Sequence, residues 1–146
     1  MRADRFEPLP DDVLARWASF GRWADRTYYP AVLGMELEEL RQDYARMRLP
    51  YRPEHEQPMG VVHGGALASL VDTVVVPAIG AAYGPEVGYV TVNMNINYLG
   101  AVVEADAVAE GWVTRRGRTM AYCRAEVTTG DKLVMEASLV YAIRHL

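Results

Sequence analysis

The spacing of apolar residues along the first fifty positions predicts one helix followed by two strands. Over residues 11–25 the apolar side chains recur at helical spacing, which predicts an amphipathic helix; they are Val13, Leu14, Trp17 and Phe20. A loop is expected over residues 27–30. Apolar and polar residues then alternate, which predicts strands over residues 35–38 and 44–49.

Residues 65–83 fit two kinds of element. The run Val74-Val75-Val76 favours a strand, and Pro77 disturbs a helix interior. The length of the segment and its alanine-rich ends favour a helix that is buried on nearly all sides. We predict a helix here, with a kink or an early stop near Pro77.

The second half of the chain has the period of β-structure. From Tyr89 to Tyr98, polar residues alternate with apolar ones, the polar positions being Thr91, Asn93, Asn95 and Asn97. Three more alternating segments follow, over residues 104–114, 118–128 and 132–144, with turn signals between them. Long antiparallel strands beside one buried helix predict an α+β fold with segregated elements.

Composition and charge narrow the class of protein. A chain of 146 residues with 51% hydrophobic and 23% charged residues predicts one globular domain. The net charge of −4 argues against general nucleic-acid binding. We expect no stretch long enough to span a membrane and no signal peptide in the first residues, and a single cysteine, Cys123, excludes an internal disulfide. These features predict a cytoplasmic protein.

One motif carries candidate chemistry: Gly60-Val61-Val62-His63-Gly64-Gly65, with Asp72 in the apolar run after it. Adjacent glycines at a helix start leave backbone N–H groups exposed, and such groups bind negative charge. Asp72 has no neighbour of opposite charge along the chain, and a buried acid is costly unless it serves a purpose such as catalysis. An oxyanion site plus a carboxylate suits hydrolysis by acyl transfer.

The order of elements and this motif resemble the hotdog acyl-CoA thioesterases of the phenylacetate-pathway (PaaI-like) type. The strand Val90-Thr91-Val92-Asn93-Met94-Asn95-Ile96-Asn97-Tyr98 also resembles that family, and the likeness covers residues 35–143. It implies a curved antiparallel sheet wrapped around a central long helix. We expect a single domain over residues 1–146, with an N-terminal helical extension through about residue 30.

The resemblance assigns roles to individual positions. It makes Asp72 the general base or the nucleophile, and it makes the Gly64 N–H the donor that polarises the thioester carbonyl. Gln57 stands where the family commonly has an asparagine that contacts the carbonyl or the water. Thr91 matches a hydroxyl that orients the attacking water, although an ordinary strand threonine is an equal alternative. His63 is expected to orient the site rather than to transfer protons.

Other residues with chemical potential fall outside this set. The turn that contains three arginines is the densest basic feature and suits the phosphates of coenzyme A, unless it is ordinary solvated surface; the three are Arg115, Arg116 and Arg118. Cys123 alternates with alanines and is expected in the core. The histidines show no metal-ligand spacing, so no metal or redox cofactor is expected, coenzyme A being part of the substrate.

The spacing of Gly64 and Asp72 predicts that one chain is not enough. Eight residues of helix separate them by about 12 Å, too far for one thioester to meet both. Both roles are met if Asp72 comes from a second subunit, and the resemblance implies two shared sites per dimer, with dimers pairing into a homotetramer. Two other functions remain open: an acyl-CoA sensor without catalysis, and a dehydratase or hydratase that uses His63 as its base.

The acyl group is not defined by the sequence. Its tunnel is expected to involve the N-terminal helix and the end of the long helix, over residues 78–83. Tyr83, Tyr98 and Trp112 suit an aryl group, or belong to the core. The sequence does not rank aryl against aliphatic acyl groups.

Overall fold

The structure, a computed structural model, describes residues 1–146. A 3₁₀ turn over Arg2–Arg5 opens the chain. Three α-helices and ten strands follow in order, with one more 3₁₀ turn at Pro53–His55, before β5: α1 (Asp11–Trp17), β1 (Arg22–Trp23), β2 (Arg26–Thr27), α2 (Tyr29–Val32), β3 (Glu36–Arg41), β4 (Tyr44–Leu49), β5 (Glu56–Gln57), β6 (Val61–Val62), α3 (Gly64–Tyr83), β7 (Val87–Tyr98), β8 (Ala107–Arg116), β9 (Met120–Thr129) and β10 (Lys132–His145).

Six strands form one antiparallel sheet that packs against α3. Their order is β3-β4-β8-β9-β10-β7, so β3 and β7 are the two edges. Apolar side chains of the strands pack with those of the helix in one core cluster of 27 buried residues. The predicted α+β architecture, with one helix against an antiparallel sheet, is confirmed.

Helix α3 runs without interruption from Gly64 to Tyr83, so the prediction of a helix is confirmed and the expected stop near Pro77 is wrong. Pro77 is buried within the helix, where the packing of the apolar residues around it outweighs the loss of one backbone hydrogen bond. Sheet and helix approach each other closely at Gly111 of β8, where an added Cβ would lie 2.7 Å from Val74 and 2.8 Å from Val75.

By length and composition, α3 would be able to cross a membrane, with a mean hydropathy of 1.7 over an 18-residue window. The expectation that no stretch has this length was therefore wrong. More than half of that window is buried inside the protein, against strands β3, β4, β7, β8 and β9. Its apolar character is that of a core helix.

The N-terminal segment differs from its prediction. Helix α1 ends at Trp17 instead of residue 25. The chain then turns back into the short β1–β2 hairpin, where Gly21, Ala24 and Asp25 all have positive φ, between 49° and 82°. These left-handed positions are incompatible with a continuing helix. Residues 27–30 are divided between β2 and the start of α2 rather than forming a loop.

Strand β7 carries an irregularity that the alternation along the chain did not predict. Its register against β10 pairs Asn93 with Val140 and Thr91 with Tyr141, which leaves Val92 as an extra residue. A bulge of this kind reverses which face the following side chains occupy. Thr91 therefore faces α3, whereas Asn95 and Asn97 lie on the outer face of the sheet, beside Trp112 and Arg124.

Candidate active site

The first turn of α3 leaves one backbone donor free. His63 is its N-cap, and the ring Nδ1 accepts a hydrogen bond from the Gly65 N–H at 2.8 Å. The N–H groups of Ala66 and Leu67 donate to the His63 carbonyl. The Gly64 N–H donates to none of these acceptors, so it is the first-turn group that can bind a ligand oxygen.

The ring of Tyr98 stands directly against Gly64. Its hydroxyl donates to the Gly64 carbonyl at 2.9 Å, and a Cβ at Gly64 would lie 3.2 Å from the ring. A side chain at position 64 would therefore crowd Tyr98, which explains a glycine here without reference to chemistry. This structural explanation is compatible with a role in binding, because the same lack of a side chain exposes the N–H.

The structure brings Gln57 to the same place as Gly64. Both line a cavity of about 410 Å³, together with Leu67 and Tyr98. The Oε1 of Gln57 accepts from the Met59 N–H at 2.7 Å, within the β5–β6 turn. This hydrogen bond holds the amide in place and leaves its Nε2 group as the donor free for a ligand.

Asp72 is half-buried on the face of α3 that meets β7 and β10. Two hydroxyls donate to the same carboxylate oxygen: Thr91 to Oδ1 at 2.7 Å and Tyr141 to Oδ1 at 2.6 Å. Tyr141 also contacts the Asp72 backbone carbonyl. No protein group donates to Oδ2, so this oxygen is the one available for chemistry.

Tyr141 is a site residue that the sequence reasoning missed. The residue is 2% exposed. Burial is the main cause that raises the pKa of the phenol well above 10, and the hydrogen bond to Asp72 adds to this effect. It therefore stays protonated and can donate at any ordinary pH. The signal available was weak: Tyr141 shares the inward face of β10 with Leu139 and Ile143, and nothing local to it pairs it with Asp72.

Asp72 opens into an apolar cavity of about 380 Å³. It is lined by Tyr89, Thr91 and Tyr141 of the sheet and by Phe20, Trp23 and Pro30 of the N-terminal segment. This cavity shares no residue with the one at Gly64. Within one chain the structure thus brings Asp72 to Thr91 and Gly64 to Gln57, but it keeps the two pairs apart, since eight residues of α3 span about 12 Å.

The arginine-rich turn lies far from Gly64. It joins β8 to β9 and is tied to the last turn of α3, because the Tyr83 hydroxyl donates to the Gly117 carbonyl at 2.6 Å. A helix of 20 residues is about 30 Å long, so this turn and Gly64 are at opposite ends. All three of its arginines are exposed, and Arg116 pairs with Asp43 at 3.1 Å; the others are Arg115 and Arg118.

The aromatic residues singled out for an acyl group are dispersed. Trp112 lies on the outer face of the sheet, with the guanidinium of Arg2 4.1 Å from its ring. Tyr83 is engaged with the β8–β9 turn, and Tyr98 covers Gly64. The aromatic side chains that do line the Asp72 cavity come from the N-terminal segment, whose folding across α3 is a tertiary feature.

The remaining candidates occupy structural places. Cys123 is buried in the core, and this burial raises its pKa to about 12, so the thiol is protonated and inert. No three His, Cys, Asp or Glu side chains lie close enough together to hold a metal ion. His145 is hydrogen-bonded to the Arg118 carbonyl, and His55 is buried at the end of the second 3₁₀ turn.

Comparisons with known proteins identify the family of this chain. Residues 59–144 match the model of the thioesterase superfamily. A candidate esterase of Halobacterium salinarum is 31% identical over 102 residues, 66% of this chain and 67% of that protein. Acyl-coenzyme A thioesterase 13 of Mus musculus is 30% identical over 86 residues, 57% of this chain and 61% of the mouse protein. The chain spans about two thirds or less of these curated relatives.

Solved structures of the same shape include a conserved protein of Pseudomonas aeruginosa, with a TM-score of 0.78 and 32% identity over 82% of this chain and 95% of that one. A mutant of the phenylacetic acid degradation protein PaaI of Thermus thermophilus gives a TM-score of 0.71 at 24% identity, over 77% of this chain and 96% of that one. The second likeness speaks for the fold alone. The family match covers more than half of the chain, which therefore belongs to the thioesterase superfamily, the hotdog-fold hydrolases of thioesters.

Proposed function

We propose that this protein hydrolyses acyl-CoA thioesters to a free acid and coenzyme A. The observation that carries the proposal is the Asp72 carboxylate, whose Oδ1 is held by two hydroxyls while its Oδ2 accepts from no protein group, and which lines an apolar cavity. A carboxylate fixed in this way beside bound substrate is suited to act on a thioester carbonyl. The acyl-CoA thioesterase name of the mouse relative adds support for this substrate class.

In this reaction the Gly64 N–H donates to the thioester oxygen and stabilises the negative charge that develops there. Two routes are open for Asp72. As a base, its Oδ2 takes a proton from water while the water oxygen adds to the carbonyl carbon, and the proton then goes to the departing thiolate of coenzyme A. As a nucleophile, Oδ2 itself adds and expels the thiolate, and water then hydrolyses the resulting anhydride.

We propose that each active site is shared by two subunits. Gly64 and Asp72 of one chain open into separate cavities, so a partner must supply one of the two groups. Strand β7 is a sheet edge of 12 residues, and Val90 and Val92 on it are more than half exposed. Pairing two β7 edges across a two-fold axis would cover these side chains and extend the sheet. A further pairing of dimers gives the proposed homotetramer.

The geometry supports a changed role for Thr91. Its hydroxyl donates to Asp72 Oδ1, so we propose that it orients the carboxylate rather than the attacking water.

Other residues are proposed to bind the substrate. Gln57 Nε2 is proposed to help Gly64 hold the carbonyl oxygen, and the exposed Arg115 and Arg118 are proposed to contact coenzyme A phosphates. No metal or redox cofactor enters this scheme. We further propose that the enzyme is soluble, which the burial of α3 in the core supports, and that it is cytoplasmic.

His63 is proposed as an orienting residue. Its Nδ1 accepts from Gly65 and caps α3, so a protonated ring would lose the cap. This bond disfavours a dehydratase that uses His63 as its base. A sensor without catalysis would bind acyl-CoA and release no thiol.

The test is thiol release from a panel of aryl and aliphatic acyl-CoA thioesters by the wild type and by Asp72→Asn. The substitution keeps the size of the side chain and removes the base, so turnover is expected to fall by about a hundredfold or more. Asp131→Asn, in the exposed β9–β10 turn, is the matched control and should retain wild-type turnover. Near-normal turnover in Asp72→Asn would remove Asp72 from the mechanism, and binding without thiol release by the wild type would favour the sensor.

A further inference from the structure

The apolar cavity beside Asp72 continues along α3. A second cavity, of about 420 Å³, lies farther toward the end of the helix and is lined by Trp17, Gly80 and Val87. The two cavities meet at three residues that line both: Trp23, Val76 and Tyr89.

The helix residues along this path share one face. Asp72, Val76 and Gly80 are spaced four apart, so they form a stripe along α3. Each step of four residues advances about 6 Å. The first cavity therefore begins at the carboxylate and reaches the junction after about 6 Å, which is the scale of a ring or of a short branched chain.

The junction is built by packed aromatic side chains. Trp23 meets Phe20 edge-on, with ring centroids 5.4 Å apart, and it meets Trp17 edge-on at 6.3 Å. Trp17 in turn lies on the bare backbone of Gly80, where an added Cβ would be 2.3 Å from its ring. Tyr89 also lines both cavities, and burial raises the pKa of its phenol, so its side chain is neutral. The junction is thus apolar and uncharged, and Trp23 is held in place by its packing against Phe20 and Trp17.

We propose that the first cavity holds the acyl group and that Trp23, with Val76 and Tyr89, limits its length. The inference rests on the proposed function. The substrate class is then compact apolar acyl groups, ring-sized or short and branched, attached to coenzyme A. Such a group buries apolar surface beside Asp72. An extended chain would have to displace Trp23 from its aromatic neighbours to enter the second cavity, and Trp23 is the residue that determines specificity.

The test compares kcat/KM for benzoyl-CoA and dodecanoyl-CoA in the wild type, Trp23→Ala and Trp23→Leu. The wild type should favour benzoyl-CoA. Removing the indole joins the cavities, so the ratio should move toward dodecanoyl-CoA by about tenfold or more, within the range that apolar pockets achieve. Trp23→Leu should move the ratio in the same direction. Because it keeps an apolar side chain in the hairpin, it provides the test if the alanine variant fails to fold.

Trp112→Ala is the matched control, because it also removes an indole, but from the outer face of the sheet. Its ratio should equal that of the wild type. An unchanged ratio in both Trp23 variants, an equal loss for both substrates, or a wild type that prefers dodecanoyl-CoA would overturn the proposed limit. These results differ from a failure of the proposed function, in which the wild type releases no thiol from either substrate.

Discussion

At the scale of single residues, the hydroxyl of Tyr141 gives a specific prediction. Tyr141→Phe removes one of the two donors to Asp72 Oδ1 and leaves the ring in place. A hydrogen bond to a charged group contributes about 1.5–3 kcal/mol, so kcat should fall by about tenfold to a hundredfold. Because the hydroxyl donates to Asp72 and the ring stays in the lining of the acyl cavity, KM should change little in steady-state assays.

Thr91 provides the companion measurement for this carboxylate. Thr91→Ala removes the other donor to Oδ1 and should lower kcat, whereas Thr91→Ser keeps the hydroxyl and should have a kcat near that of the wild type.

A Tyr141→Phe enzyme whose KM rises while kcat stays constant would show that Tyr141 shapes the acyl cavity instead of orienting Asp72.

The same three residues show what the sequence can and cannot predict about the site. Asp72 stands out because an acid in an apolar run needs a reason to be there. Its partners do not stand out from the pattern of apolar and polar positions: Thr91 was predicted only from the resemblance, and Tyr141, which was missed, is 69 residues away along the chain. Thr91 faces Asp72 because Val92 forms a bulge, and the alternation of apolar and polar residues does not show where a bulge lies.

At the scale of elements, the packing of α3 against β8 depends on Gly111. Gly111→Ala would place a methyl group 2.7 Å from Val74 and 3.3 Å from the Val75 backbone nitrogen. Overpacking of this kind costs about 1–3 kcal/mol, and the free energy of unfolding measured in urea should fall by that amount. Gly88→Ala is the matched control, because its nearest neighbour is 3.9 Å away in Leu146. Equal stability of the two variants would contradict the close contact.

Element prediction succeeded where one signal dominates. The four long strands and α3 were placed within a few residues, because alternation and length are strong over ten or more positions. The predicted N-terminal helix is too long, because the helical spacing of apolar residues continues to Phe20 although α1 ends at Trp17. Phe20 serves the aromatic cluster around Trp23 instead, and tertiary packing of that kind is invisible to a local pattern.

At the scale of the whole molecule, the shared site can be tested by complementation. Gly64 is the first residue of α3, where a proline is tolerated, and His63 before it has ψ of 134°, which suits a residue before proline. Gly64→Pro therefore deletes the one free N–H of the first turn. Its Cβ also approaches the Tyr98 ring, so Gly64→Ala, which adds the same Cβ and keeps the N–H, is the matched control that separates the two effects. Loss of such an oxyanion donor lowers kcat by about a hundredfold to a thousandfold, and circular dichroism should show that the fold is retained.

Mixed dimers of Gly64→Pro and Asp72→Asn distinguish a shared site from a site within one chain. Each variant alone is expected to be nearly inactive. In a mixed dimer whose sites are shared, one site takes Gly64 from the Asp72→Asn chain and Asp72 from the Gly64→Pro chain, so it is intact, while the other site carries both defects. Co-expressed chains, purified through two different tags, should then recover about half of the wild-type activity per dimer, because one of two symmetric sites is restored. If each site lay within one chain, every site in the mixed dimer would still carry one defect, and the activity would stay at the level of the single variants.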